Sequence, residues 1–364
     1  MTARPQHQRR PQPGRRATAS GQANPDVTPQ AAGFTGAASP EAMRWAHGVL
    51  ADAVPALAGQ LGEMHVLRNG PKRLAVLGFS SGACLVLKQY ADDRGLWTRR
   101  WLQRLAEAGF APPARFAVTP ARGWSGAHRT LVTDVAPGHA WTHWLQASAA
   151  DRDAAAVAAA DWLAGLQSLP VALPDRTGYR AGEELRHQTR LLASEYPGHA
   201  TRLLSTAGAA HQHLYGNPGG REPHLVASHG DLHPENLHVA AGGPLAVTAI
   251  DVDTAGLRRP SYDVGYALAQ LLVVSWMRTG SFSTGAGAGL TFWRRWTDRD
   301  GRDADTVPAE VARALVQSLH FELITYHTGR TDLFGRWLDI AETVLNTGVP
   351  ATFHALTAEQ EVTP

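Results

Sequence analysis

Two polar side chains five positions apart, Asp231 and Asn236, lie in Val226-Ala-Ser-His-Gly-Asp-Leu-His-Pro-Glu-Asn-Leu-His-Val239, a tight polar loop between two apolar runs. Further on, the apolar run Ala249-Ile-Asp-Val-Asp253 ends in acid. A carboxylate such as Asp231 accepts a hydroxyl proton, and a carboxamide such as Asn236 offers a neutral oxygen to a hard cation. A later carboxylate such as Asp251 adds a charged oxygen ligand. Met in this order, the three form the minimum kit for moving a magnesium-bound phosphate onto an alcohol. Glycine and aspartate also favour plain turns, so His229-Gly-Asp231 by itself would mean little. The spacing to Asp251 and to Asp263 gives the loop its weight.

The octet His229-Gly-Asp-Leu-His-Pro-Glu-Asn236 resembles the catalytic loop of the aminoglycoside phosphotransferase and choline kinase family, the small-molecule branch of the protein-kinase-like fold. It is also similar to the protein-kinase loop H-R-D-L-x-x-x-N, except that Gly230 replaces the arginine and Asp253 stands where the glycine of D-F-G would be. The resemblance implies an α+β, two-lobed fold. A small N-terminal lobe of antiparallel sheet plus helix would bind the nucleotide, and a larger, mainly helical C-terminal lobe would hold the catalytic loop and the acceptor. It further implies Asp231 as catalytic base, Asn236 and Asp251 as Mg2+ ligands, ATP or GTP as phosphate donor, and Asp263 in Pro260-Ser-Tyr-Asp-Val264 as a brace for the catalytic loop. Asp253 has two readings, contact with a metal-bound water or a turn cap.

Lys88 is the expected phosphate-positioning cation. The chain has only two lysines, Lys72 and Lys88, and Lys88 falls in the alternating run Cys84-Leu-Val-Leu-Lys-Gln-Tyr90. A slim ammonium suits the α- and β-phosphates better than the broad arginine fork. The family pattern expects a glutamate near the start of the following helix, but Thr98, Arg99 and Arg100 stand there and Glu107 comes late. Asp92, Asp93 or Glu107 are the substitutes in sequence, or Lys88 meets its carboxylate only with nucleotide bound. Backbone groups of Thr133 to Val135, in the run resembling the family's linker, are the expected contacts to a purine edge.

Those residues need elements to carry them. The periodicity predicts a helix over Pro40 to Gly62, then strands over Glu63 to Leu67, Leu74 to Phe79 and Ala83 to Tyr90, joined by Gly-, Asn- and Pro-bearing turns. A helix follows over Leu96 to Ala108, with Trp97, Trp101, Leu102 and Leu105 on one face, and a strand near Arg115 to Thr119. The C-terminal lobe should carry helices over Asp151 to Leu166, Ala181 to Glu195, Thr201 to Tyr215, Tyr262 to Arg278, Glu310 to His327 and Thr331 to Leu345. Leu163, Leu166, Leu191, Leu192, Leu203, Leu204, Leu271, Leu272 and Trp276 are the expected core. The expected division is a disordered basic tail over 1–40, an N-lobe over 41–137 and a C-lobe over 138–364.

Two decoys are set aside. Gly285-Ala-Gly-Ala-Gly289 follows no strand and is expected to be a flexible connector. His211, His213, His229, His233 and His238 do not present zinc-like spacing.

Bulk properties bound the function. With 44% hydrophobic and 18% charged residues and a net charge of +2, the 364-residue chain reads as globular, without the basic field that nucleic acid demands. One cysteine, Cys84, excludes an internal disulfide and fits a reducing cytoplasm. No secretory signal is expected, and Val264 to Met277 is too short to span a membrane. The leading expectation is a kinase for a small hydroxylated acceptor, an aminoglycoside or related sugar- or nucleoside-bearing antibiotic, with resistance as the consequence. Asp332, Asp339, Glu342, Glu359 and Glu361 would favour a cationic acceptor. A choline- or homoserine-like metabolite kinase, a silent kinase-fold binding module and a metal-dependent hydrolase are the alternatives. The oligomeric state is left open.

Overall fold

Alternating apolar residues in the first third of the chain pair into an antiparallel sheet in the computed structural model, which describes residues 38–70, 72–174, 179–216, 224–242 and 244–358. Residues 1–37 of the expected tail, Pro71, Glu359 and Glu361 lie outside the described residues. Helix α1 (Pro40–Ala53) begins at Ser39, whose Oγ accepts the Ala42 N–H at 3.2 Å, with Pro40 in the first turn where its missing N–H costs nothing. The helix stops at Ala53 rather than continuing to Gly62, because Pro55 cannot donate to the ladder, and Pro55–Gln60 tighten into a 3-10 turn.

Strands β1 (Leu61–Arg68), β2 (Leu74–Phe79) and β3 (Cys84–Gln89) lead into helix α2 (Arg94–Glu107), and β4 (Phe116–Val118), β5 (Ala121–Ser125) and β6 (Thr130–Asp134) follow. The first sheet runs β1-β2-β3-β6-β5, antiparallel throughout. Its two faces do different work. Leu77, Leu85, Leu87 and Val132 point to one side and pack with Trp45, Val49 and Leu50 of α1. Val76, Val86 and Lys88, on the alternate positions, face a cleft.

The expected strand near Arg115 forms as β4 but joins a different sheet. It pairs in parallel with β10 in a four-stranded sheet ordered β4-β10-β9-β7, where β7 is His139–Ala140, β9 is Leu237–Ala240 and β10 is Ala246–Ala249. A two-stranded ribbon joins β8 (Val226–Ser228) to β11 (Gly256–Arg258). Helices α3 (Trp141–Trp144), α4 (Ala149–Gln167), α5 (Tyr179–Glu195) and α6 (Ala200–Tyr215) precede the catalytic-loop segment. After it come α7 (Ser261–Thr279), α8 (Ser283–Arg299), α9 (Val307–His320) and α10 (Leu333–Ala358). The chain thus has the expected α+β, two-lobed, kinase-like organisation.

Several local expectations fail for tertiary reasons. The glycine-rich run 285–289 is no flexible connector but the buried face of α8. A Cβ on Gly285 would lie 2.2 Å from the Leu271 carbonyl oxygen and one on Gly289 would lie 2.5 Å from the Phe353 ring, so small residues let α8 approach α7 and α10 closely. Leu191 and Leu204, expected in the core, are 36% and 48% exposed, and Trp97, expected on the apolar face of its helix, is 52% exposed. Helix α9 ends at His320, a π turn follows over Phe321–Thr325, and the last two residues of the expected span, Tyr326 and His327, are not helical. Helix α10 runs past Leu345 and bends at Gly348, which has a φ of 81°, just before Pro350. Among the described residues, no helix is long and apolar enough to cross a membrane.

Candidate active site

The loop between β8 and β9 is held by one carboxylate. Asp263, in the first turn of α7, is buried and accepts the His229 N–H at 2.7 Å and the Gly230 N–H at 2.9 Å. His229 continues the brace. Its Nε2 lies 2.8 Å from the Ile250 carbonyl oxygen, so it carries the proton there, and Nδ1 is left to accept the Asp231 N–H at 3.3 Å. Trp162 of α4 packs edge-on against the imidazole, and its Nε1 donates to the Ala117 carbonyl at 2.9 Å, tying the loop to β4. Gly230 adopts a φ of 84°, and a Cβ there would lie 2.4 Å from the Thr254 carbonyl oxygen and 2.5 Å from Arg258 Nη1. Only glycine fits where the protein-kinase loop has arginine.

Asn236 is oriented by its own loop. Its Nδ2 donates to the Asp231 backbone carbonyl at 2.9 Å, and its own backbone carbonyl accepts the Ile250 N–H at 2.9 Å, which docks the end of β10 beside it. The next residue, Asp251, has a left-handed backbone at φ 57°. That conformation costs an aspartate about 1–3 kcal/mol and is retained where the surroundings enforce it. Tyr266 of α7 faces Asp231. Burial and the neighbouring Asp231 carboxylate hold the Tyr266 hydroxyl well above the usual phenol range, so it stays a donor. Burial pushes the His233 imidazole below its usual range, and its Nδ1 accepts the Glu235 N–H at 3.2 Å.

Across the cleft, Lys88 Nζ lies 2.6 Å from Asp251 Oδ1 and 2.8 Å from Asp253 Oδ2. Burial opposes the ammonium charge, but the two carboxylates outweigh it and raise the Lys88 pKa. Lys88 thus meets two carboxylates that follow β10, and none of the three substitutes proposed from the sequence supplies them. Asp92 instead binds Arg94 at 3.0 Å. Asp253 has side-chain partners besides Lys88. Its Oδ1 accepts from the Tyr90 hydroxyl at 2.7 Å and from Thr98 Oγ1 at 3.0 Å. Tyr90, Thr98 and Tyr266 were missed in the sequence. Tyr90 carried a usable signal, since residues two apart on a strand share a face and Tyr90 follows Lys88 by two.

The cleft between the lobes has a volume of about 470 Å³, within the range of small-molecule sites. Among its lining residues are Lys88, Thr133, Val135, Asp231, Asn236 and Asp251. The linker between Thr133 and Val135 is pinned from behind. The Asp134 carboxylate is gripped by Arg122 at 2.6 and 2.8 Å, its N–H donates to the Pro120 carbonyl, and its carbonyl accepts from Thr119 Oγ1 at 2.9 Å. Lys72, the other lysine, also borders the cleft.

The donor set fits a hard cation of magnesium type. No group of three or more His, Cys, Asp or Glu side chains among the described residues is arranged to hold a metal. One aspartate and one carboxamide at the cleft floor match the habit of Mg2+, which takes one or two protein oxygens and completes its shell with phosphates and water.

The model of the phosphotransferase enzyme family matches residues 78–303, well over half of the chain. The chain belongs to that family. It is accordingly a phosphotransferase with an alcohol group as acceptor, a kinase of small molecules. Its fold is similar to that of a choline/ethanolamine kinase family protein from Mesorhizobium loti, at 18% identity and a TM-score of 0.55, covering 85% of this chain and 97% of that one. An aminoglycoside phosphotransferase from Alicyclobacillus acidocaldarius aligns at 15% identity and a TM-score of 0.53, over 90% and 98% of the two chains. The amicoumacin kinase hAmiN, in complex with AMP-PNP, Ca2+ and Ami, aligns at 15% identity and 0.54, over 84% and 96%. No curated protein matches the sequence of this phosphotransferase.

Proposed function

We propose that the phosphotransferase moves the γ-phosphate of ATP or GTP to a hydroxyl of an antibiotic-like small molecule, an aminoglycoside or a related sugar- or nucleoside-bearing compound, with resistance as the biological consequence. The observation that carries the reading is the convergence of Lys88, Asp231, Asn236 and Asp251 on one cleft from separate elements. In this reading Asp231 orients the acceptor hydroxyl and takes its proton, while the Tyr266 hydroxyl keeps the carboxylate aimed. Lys88 positions the α- and β-phosphates, and backbone groups of Thr133 and Val135 meet the purine edge. Asn236 and Asp251 would hold Mg2+, whose chemistry when bound is to neutralise phosphate charge. We place the division between the lobes near Pro137, with 41–137 for the nucleotide and 138–364 for catalysis and acceptor, in a cytoplasmic protein.

The electrostatic case for a polycationic acceptor is weaker than the sequence implied. Asp332 is paired with Arg330 at 2.8 Å, and Glu342 with Arg202 at 2.7 Å, while Arg202 also holds Asp339. Arg330 matches Asp332, but Arg202 serves two carboxylates and leaves one negative charge over, so these acids attract a cation less than their number suggests. The test is turnover of Mg-ATP and Mg-GTP against a mixed panel of hydroxylated compounds, with products read by mass spectrometry for one added phosphoryl group. Asp231→Ala should lower turnover by roughly 10²–10⁴-fold and leave nucleotide affinity nearly intact. Full activity in that variant would remove Asp231 from the role.

A further inference from the structure

We propose that Asp253, clamped by Tyr90 and Thr98, is the carboxylate that positions Lys88 for the nucleotide phosphates, in place of a glutamate on α2. The proposal rests on the phosphoryl-transfer reading above and assigns a positioning role within it. Its starting point is an absence in the sequence: no acid stands on α2 from Arg94 to Ala106. Where the helix meets Asp253, the structure has a neutral hydroxyl, Thr98, and it is buried.

The geometry accounts for every oxygen of Asp253. Oδ2 receives the Lys88 ammonium at 2.8 Å, and Oδ1 receives the Tyr90 hydroxyl at 2.7 Å and Thr98 Oγ1 at 3.0 Å. Thr98 has a single hydroxyl hydrogen, for which the Arg94 carbonyl at 3.2 Å competes, and the charged carboxylate is both closer and the stronger acceptor. Tyr90 directly follows β3, two positions after Lys88, so one short stretch supplies both the cation and a clamp on its partner. Gly95 makes the approach of α2 possible, since a Cβ there would lie 2.3 Å from the Trp124 ring and 2.6 Å from the Tyr90 ring. Asp251 also touches Lys88, but it is the residue read as a metal ligand, and a carboxylate committed to a cation cannot hold the lysine to the same degree. Asp253, fixed by two neutral donors, keeps the lysine in place whatever Asp251 does.

The test measures affinity for Mg-ATP and Mg-GTP by calorimetry, and for the same nucleotides in EDTA, with the full chain. The variants are Asp253→Asn, Tyr90→Phe, Thr98→Val and Lys88→Met, singly and each of the first three combined with Lys88→Met. Asp253→Asn should weaken binding about tenfold with or without metal, and Tyr90→Phe and Thr98→Val by smaller factors. In the Lys88→Met background none should add more than about twofold, because the interaction they serve is gone. Thr98→Glu should recover affinity in an Asp253→Ala chain. Equal losses in the Lys88→Met background, or a loss confined to buffers containing metal, would overturn the proposal, the latter marking Asp253 as a metal ligand. A wild-type chain that binds neither nucleotide would sink the phosphoryl-transfer reading itself. Independently of nucleotide, a lysine-selective 13C NMR spectrum contains only Lys72 and Lys88. Tyr90→Phe and Asp253→Asn should move the Lys88 signal and leave Lys72 in place, and an unmoved Lys88 signal would refute the clamp.

Discussion

At the scale of single residues, Asp263 does the work of two partners, since each of its oxygens satisfies one buried N–H of the loop that carries Asp231. Removing it in Asp263→Ala strands both donors, at about 1–3 kcal/mol each. The variant should therefore melt several degrees below wild type and lose most turnover, because Asp231 loses its footing. Unchanged melting would show that water or a rearranged loop replaces the brace. Asp263 was legible from its place after the loop motif, and so were Asp231, Asn236 and Asp251. Asp253 was not. Its role depends on Tyr90 and Thr98, more than 150 positions away, and no local pattern links them.

At the scale of elements, α8 shows glycine used in two opposite ways. Gly285 has the Leu271 carbonyl oxygen where its Cβ would go, whereas Gly287 has nothing within 4 Å. Gly285→Ala should destabilise the fold by about 1–3 kcal/mol through forced separation of α7 and α8. Gly287→Ala should instead stabilise it by up to about 1 kcal/mol, from helix propensity alone. Chemical denaturation of the two variants should give midpoints displaced in opposite directions, and a common direction would contradict the packing described here. The same logic applies to α2. Gly95→Val would push the helix from Tyr90 and Trp124, and it should weaken nucleotide binding together with stability. Propensity scales penalise glycine in helices, which is why 285–289 reads as a connector until the neighbouring helices are known.

At the scale of the whole molecule, burial leaves a mark on pH dependence. Burial lowers the pKa of His211, of His233 and of His320. In the unfolded chain these groups take up protons near pH 6.5, while the folded protein resists. Stability should accordingly be full above about pH 6.5 and fall as the pH drops through the lowered folded values. Glu342, held low by its hydrogen bond from Arg202, adds a loss in the same direction at more acid pH, below its unfolded value. Melting temperatures measured from pH 8 to pH 5 should decline, and His233→Gln should flatten the decline. A melting temperature that is level or rises toward pH 5 would contradict this account.

The sequence by itself determined the reaction class and most of the secondary structure. The catalytic loop, the acid after β10 and the strand lysine are local signals, set by residue chemistry and short spacings that survive without knowledge of the fold. It also determined the antiparallel order of β1 to β3, because short turns leave adjacent strands little choice. Only the tertiary structure decided which carboxylates meet Lys88, that β4 crosses to the second sheet, and that a glycine-rich run becomes a buried helix. Each of these depends on contacts between segments far apart in the chain, where distance and burial, not residue type, choose the partner.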